Sequence, residues 1–272
     1  MKRFLLFALC VFFAFPSFGA KPEIDSQWNG ARVAFLGDSI TDARQLDYQD
    51  IYWHQLIPIL GIEPYCYGIS GRRCDDIKAQ TEKLLSEHGQ DVDAIIIFIG
   101  TNDFNGSVPL GQWFVEEVVA VNRNGQEYRV KHRSPVMDAN TVRSDINKFM
   151  SFIKHAYPTK QVILLTPIHR AYFNCADNNV QPDENYANPL GLYIDDYVNV
   201  IKEAGNVWAV PVIDLNSICA LYPLEPAHKQ YFRESAKDPD GVRHDCLHPN
   251  TEGHLRISYA LAYQLLGYPA RF

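Results

Sequence analysis

The chain has 272 residues, 47% of them hydrophobic and 21% charged, with a formal net charge of -7. That content supports a substantial core and excludes disorder over most of the length, while the acidic balance disfavours a nucleic-acid partner. Beyond the first residues no apolar run approaches the roughly 20 residues of a membrane-spanning helix, so no stable membrane insertion is expected.

The N-terminus reads differently from the rest. Met1-Lys2-Arg3 supplies positive charge, residues 4–15 are nearly all apolar, and Ser17-Phe18-Gly19-Ala20 offers small residues for cleavage. This is the pattern of a secretory signal peptide over 1–20, and it predicts a periplasmic or secreted protein spanning 21–272. A lipoprotein reading at Cys10 fails on Phe7-Ala8-Leu9, which lacks the small residue such sites place before the cysteine. Five cysteines follow the leader: Cys66, Cys74, Cys175, Cys219 and Cys246. An odd number in an oxidising compartment leaves at least one thiol unpaired unless chains are cross-linked, and the pairing stays open.

Four runs are apolar on consecutive residues, at 33–36, 94–99, 162–165 and 207–213, with a weaker one at 62–67. Continuous apolar runs suit strands buried on both faces of a parallel sheet. Helical stripes alternate with them: Val142, Ile146, Phe149, Met150 and Ile153, then Tyr193, Tyr197, Val200, Ile201 and Ala204 with Gly205 placed to end the helix. A last helix is expected over about 250–266, stopping at Gly267 before Pro269. The alternation predicts a three-layer α/β/α sandwich around a central, mainly parallel sheet, built as one domain with no linker or repeat. An insertion at about 104–137 breaks it. There Asn124-Gly125 reads as a two-residue hairpin turn that sets Val121 opposite Tyr128 and Val119 opposite Val130, near the mouth of a site. Phe114, Val115, Val118 and Val119 also suit helical spacing, so a helix followed by a loop is the alternative.

Ligands of open α/β sheets collect beyond the carboxyl ends of the strands. Gly37-Asp38-Ser39-Ile40, Gly68-Ile69-Ser70-Gly71 and Gly100-Thr101-Asn102-Asp103 follow the first three strands, and Asp245-Cys246-Leu247-His248 lies near the C-terminus, outside any predicted strand. Together they supply what acyl transfer needs: a nucleophile, a base, a carboxylate to orient the base, and neutral donors for an oxyanion. Ser39 at a strand-to-helix junction would present its hydroxyl and its amide to one space. Gly71 has no side chain to block its amide, and Asn102 donates through its NH2. Asp245 and His248, three residues apart on one turn, can meet without distant elements coming together. Read singly, Ser39 is as well an N-cap, His248 a surface histidine and Asn102 a turn residue; four blocks in order favour the chemical reading.

In those four blocks and their order the chain resembles the SGNH (GDSL-type) serine esterases and lipases, over about residues 32–266. Ile40 stands where the family name has leucine, and the insertion is larger than in minimal members. The resemblance implies an SGNH hydrolase-like, flavodoxin-like fold and a Ser39-His248-Asp245 triad. It further implies an oxyanion hole from the amides of Ser39 and Gly71 with the side chain of Asn102, and no cofactor.

Other patterns carry less. His244 and His248 at i, i+4 with His254 nearby suggest a metal site, yet no HExxH occurs and no metal is expected. Ser151-x-x-Lys154 falls inside a helical stripe, and Cys246 reads as a packed small residue. Substrate contacts are sought among residues after strand ends: Arg72 and Arg73, then His169, Arg170, Tyr172 and Phe173. The resulting expectation is a secreted serine ester hydrolase for short acyl groups, acetyl favoured, on carbohydrate or another small acyl ester. A lipase or lysophospholipase for longer chains and a non-catalytic carbohydrate-binding protein of the same fold are the alternatives.

Overall fold

The computed structural model describes residues 26–176, 179–235 and 243–272, so the expected leader lies outside the described residues. In chain order the elements are β1 (Arg32–Gly37), α1 (Tyr52–Gln55), α2 (Ile57–Leu60), β2 (Glu63–Cys66), α3 (Ile77–His88), β3 (Ala94–Phe98) and α4 (Thr101–Asn105). Next come β4 (Phe114–Arg123), β5 (Gln126–Pro135), α5 (Val142–Ala156), β6 (Gln161–Leu165), β7 (Phe173–Ala176) and β8 (Asn179–Gln181). The chain continues through α6 (Ile194–Trp208), β9 (Val212–Ile213), α7 (Leu215–Ile218), β10 (Phe232–Ser235), β11 (Arg243–Pro249) and α8 (Thr251–Leu265).

Five strands form a parallel sheet in the order β2-β1-β3-β6-β9. Counting only these five, that is the 2-1-3-4-5 order of flavodoxin-like folds, with its switch point between β1 and β3. Successive residues of a strand point to opposite faces, and the two cores follow that rule. Val33, Phe35, Ile96, Phe98, Ile163 and Leu165 pack under α1, α2 and α8, whereas Ala34, Leu36, Ile95, Ile97, Val162 and Leu164 pack under α3, α5 and α6. Both faces being covered, β3 and β6 are buried at every residue, which is why those runs show no polar alternation. Each such aliphatic side chain contributes about 1.5–3 kcal/mol. The helices start where side chains accept free amides: Thr141 Oγ1 from Ser144 at α5, and Asn250 Oδ1 from Gly253 at 3.1 Å at α8, each such cap stabilising by about 1 kcal/mol.

The run at 207–213 is divided otherwise than expected. Val207 and Trp208 finish α6, Ala209 ends the helix in the left-handed region at φ 51°, and only Val212 and Ile213 form the strand. Gly205 is not the helix end. It lies within α6, where a β-carbon would come within 2.5 Å of Val212 Cγ2, so it permits close packing of helix on strand.

The insertion is the hairpin β4–β5, paired over ten residues with Val121 opposite Tyr128 and Val119 opposite Val130. Asn124 and Gly125 both take positive φ, 53° and 82°, the conformation of a tight two-residue turn matched to strand twist. The hairpin is rooted on α5 and α6: Asn147 Nδ2 donates to Trp113 O at 2.8 Å and Val136 O at 3.1 Å, and Trp113 Nε1 donates to Glu203 at 2.8 Å. Among the described residues no helix is long and apolar enough to cross a membrane.

Candidate active site

Ser39 follows β1 in a tight turn in which the amides of Thr41 and Asp42 donate to Asp38 O at 3.1 and 3.0 Å. No helix begins there, contrary to the expected strand-to-helix junction; the turn itself holds the serine. Asp38 Oδ1 accepts from the Ile40 amide at 3.0 Å and fixes the turn from below.

Asp245 and His248 lie within β11, not outside the strands, because the segment pairs with β10 through an irregular register. Cys246 between them sits at φ 56°, and this left-handed residue folds the backbone so that Asp245 Oδ1 accepts from the amides of Leu247 at 3.0 Å and His248 at 2.8 Å. The other oxygen, Oδ2, meets His248 Nδ1 at 2.7 Å, and His248 Nε2 meets Ser39 Oγ at 2.8 Å. An ionised carboxylate only accepts, so Nδ1 carries the proton and Nε2 is left to accept from the serine hydroxyl. Burial pulls the Asp245 carboxyl upward, but the bond to His248 and the Arg233 charge hold it below the ordinary carboxylate range, which keeps it ionised.

In the loop after β2, Gly71 adopts φ 78° with open space where a β-carbon would stand. Asn102, in α4 beyond β3, donates Nδ2 to Arg72 O at 3.0 Å, leaving its second N–H available. Among the described residues no backbone acceptor engages the amides of Ser39 or Gly71. Ser39, Gly71 and Asn102 thus follow β1, β2 and β3 at the carboxyl edge of the sheet, and His248 reaches Ser39 from β11.

The surrounding residues sort differently from the sequence reading. Arg72 is half-exposed and lines a cleft of about 430 Å³ with Gly71, Arg73, Asp75, Asn102, Asn105 and Gly106. His169 is partly buried, its Nδ1 at 2.7 Å from Glu184 Oε1, and that bond raises its pKa against the opposing effect of burial. Tyr172 is exposed; the side chain of Phe173 lies outside the described residues. Arg170 does not line the cleft. It is fully buried, donates to Thr101 O and Oγ1 and to Pro182 O, and receives no solvent, so it supports the loops from beneath. Asp38 and Asp103 lie in the same floor, and burial, offset in part by amide bonds and by nearby arginines, pushes both carboxyls up to about 7.

Arg233 was missed. From β10 it donates Nη2 to Asp245 Oδ2 at 3.3 Å, and the only signal for it in the sequence is a basic residue in a short strand. The other histidines have structural uses: His244 Nδ1 pairs with Phe232 O at 3.0 Å, and His254, driven down to about 3 by burial first and then by Arg233 and His248, accepts from the Tyr52 amide at 3.3 Å. Among the described residues no group of three His, Cys, Asp or Glu side chains is arranged to hold a metal ion. Cys66, Cys74, Cys219 and Cys246 are free thiols, so Cys66 and Cys74 are not bridged; the side chain of Cys175 lies outside the described residues.

Solved structures share this fold. A Lactobacillus plantarum protein is 22% identical with a TM-score of 0.63, over 88% of this chain and 98% of that one. A possible lipase from Chitinophaga pinensis is 20% identical at 0.61, over 86% and 97%. A catalytic mutant of an acetylxylan esterase from Geobacillus stearothermophilus is 20% identical at 0.51, over 92% and 99%. No curated protein matches the chain significantly. The profile of the GDSL-like lipase/acylhydrolase family matches residues 35–256. Most of this chain, including every block around Ser39, thus falls inside one match, and the chain belongs to the GDSL-like lipase/acylhydrolase family.

Proposed function

We propose that the protein is an exported serine esterase that removes short acyl groups, acetyl foremost, from carbohydrate or a similarly polar alcohol. The observation that carries the reading is the continuous chain from Asp245 through His248 to Ser39, with bonds of 2.7 and 2.8 Å. Ser39 Oγ attacks the acyl carbon while its proton passes to His248 Nε2, and the carbonyl oxygen gains the negative charge. The amides of Ser39 and Gly71 and the Asn102 NH2 meet that charge. As the oxyanion collapses, the ester C–O bond breaks and the proton on His248 goes to the departing alcohol oxygen. Water then attacks the acyl-serine carbon, gives its proton to His248, and the carboxylic acid leaves as Ser39 Oγ takes that proton back.

The cleft beside Gly71 and Asn102 has no large apolar side chain in its lining, which is in keeping with a polar alcohol. Arg73 there pairs with Asp75 at 2.9 Å, so the lining is polar without a strong net charge. The acetylxylan esterase among the structural neighbours is in keeping with such a substrate. Export rests on the charged and apolar pattern of residues 1–20.

Hydrolysis of p-nitrophenyl acetate and decanoate by the wild type and by Ser39→Ala tests the reading. The acetate is expected to be the better substrate, with turnover lost in Ser39→Ala and thermal unfolding nearly unchanged. Preference for decanoate would replace the acetyl proposal with a lipase; absence of turnover on any ester would favour a non-catalytic binding role.

A further inference from the structure

Resting on the esterase reading above, we infer that Arg233 and Gln45 are positioning residues that tie the acid end of the triad to the loop carrying the Gly71 amide. Arg233 Nη2 donates to Asp245 Oδ2 at 3.3 Å, while Nη1 donates to Gln45 O at 3.0 Å and Gln45 Oε1 at 3.1 Å. Gln45 Nε2 then donates to Ser70 Oγ at 2.5 Å. Ser70 in turn donates from its hydroxyl at 3.0 Å and its amide at 2.9 Å to Asp42 Oδ2. Ser70 immediately precedes Gly71.

Every bond in this series has a consistent polarity. Arg233 can only donate, Gln45 must therefore present Oε1 to it and Nε2 to Ser70, and the serine hydroxyl is left to donate to Asp42. Turning the Gln45 amide over would set donor against donor, so the series has one arrangement. Its two ends are the carboxylates of Asp245 and Asp42, both nearly closed to solvent. Arg44 locks the Asp42 end with two bonds, Nε to Oδ1 at 2.8 Å and Nη2 to Oδ2 at 2.7 Å. The consequence is geometric: β10, the loop after β1 and the loop after β2 are held in mutual register, although Arg233 and Gln45 are 188 residues apart. The turn after β1 carries Ser39, β11 beside β10 carries His248, and the loop after β2 carries Gly71. Nucleophile, base and one oxyanion donor are thereby indexed to one another.

Arg233 also has an electrostatic part. Among the described residues, His254 from α8, held neutral by burial, also lies near the pair, and Asp42 with Arg44 closes the far end of the series. Lys229 and Asp183 act on the neighbouring Cys246. Arg233 is the one cation in direct contact with Asp245 among the described residues. Removing it takes away a charge that helps keep the Asp245 carboxylate ionised.

Steady-state kinetics with p-nitrophenyl acetate from pH 5 to 9, together with thermal unfolding, test the assignment. Arg233→Met is expected to lower kcat roughly 10- to 100-fold with little change in KM. Arg233→Lys keeps the charge and recovers only part of kcat. Gln45→Leu breaks the series but spares the charge, so kcat again falls roughly 10- to 100-fold with little change in KM. A folded Arg233→Met with wild-type kcat, or Gln45→Leu with wild-type kcat, overturns the assignment. If Arg233→Met does not fold, Arg233→Lys and Gln45→Leu decide it. Ser39→Ala in the same series separates the two levels: residual turnover there removes the esterase reading, whereas an inactive Ser39→Ala beside unaffected Arg233 and Gln45 variants removes only the positioning role.

Discussion

Replacing Asp245 by Asn changes one atom, and the surrounding bonds dictate how the new amide must sit. Oδ1 of Asp245 accepts two backbone amides, from Leu247 at 3.0 Å and His248 at 2.8 Å. An Asn side chain keeps those two bonds only by placing its carbonyl oxygen there, which puts its NH2 where Oδ2 was, 2.7 Å from His248 Nδ1. The imidazole must then accept at Nδ1 and carry its proton on Nε2, facing Ser39 Oγ with a donor where an acceptor is required. The alternative flip restores the correct tautomer but loses both amide bonds and sets NH2 against two N–H groups, at a cost of about 1–3 kcal/mol for each buried group left unpaired. The wrong tautomer therefore prevails, and kcat is expected to fall roughly 10,000-fold, a loss of about 5 kcal/mol of transition-state stabilisation, with KM little changed. Arg233, deprived of its acceptor, adds a modest loss of stability in the same variant. Steady-state kinetics on p-nitrophenyl acetate near pH 8 measures the effect. A variant within tenfold of wild-type kcat would refute the reasoning, since it would mean that Asp245 does not set the tautomer of His248.

Asn102→Ala removes one oxyanion donor and is expected to lower kcat roughly 100- to 1,000-fold with unfolding unaffected; a wild-type rate would take Asn102 out of the site. Gly71→Ala meets open space but must hold φ 78°, so stability falls by about 1–2 kcal/mol from backbone strain alone, read as a lower midpoint in urea. For Asp38 and Asp103 the folded carboxyls are raised from 3.8 to about 7, so their contribution is fully present below about pH 4 and is lost as pH rises to 7. Asp38→Asn should flatten that decline in urea unfolding between pH 4 and 8, and parallel wild-type and variant curves would contradict the shift. Asp42 runs oppositely: despite burial its bonds to Arg44 and Ser70 bring it to about 2, so its stabilisation is present above about pH 4 and fades as pH falls toward 2.

Much of this site is legible locally because its members are tied to strand ends. Ser39, Gly71 and Asn102 each follow an apolar run, and a parallel sheet brings the ends of its strands to one edge whatever lies between them. Asp245 and His248 are close enough in sequence to pair through one distorted turn, and the Asn124-Gly125 hairpin carries its register in its own two residues. What escaped depends on long-range packing. Position after a strand places Arg170 near the site but says nothing of orientation, and the carbonyls that bury its guanidinium come from segments up to 69 residues away. Arg233 has no local pattern at all, because its partners are 12 and 188 residues distant. The run at 207–213 misled for another reason: apolarity alone does not distinguish the end of a buried helix from the start of a buried strand, and the left-handed Ala209 that separates them is a residue rarely used there.

Covalent labelling by a fluorophosphonate, followed by peptide mapping in a mass spectrometer, tests the central claim most directly, because the probe reacts only with a serine that a neighbouring base has activated. The account predicts a single adduct on Ser39 that is absent from Ser39→Ala and strongly slowed in Asp245→Asn. An adduct on a different residue, or esterase turnover by a protein that leaves Ser39 unlabelled, would contradict it.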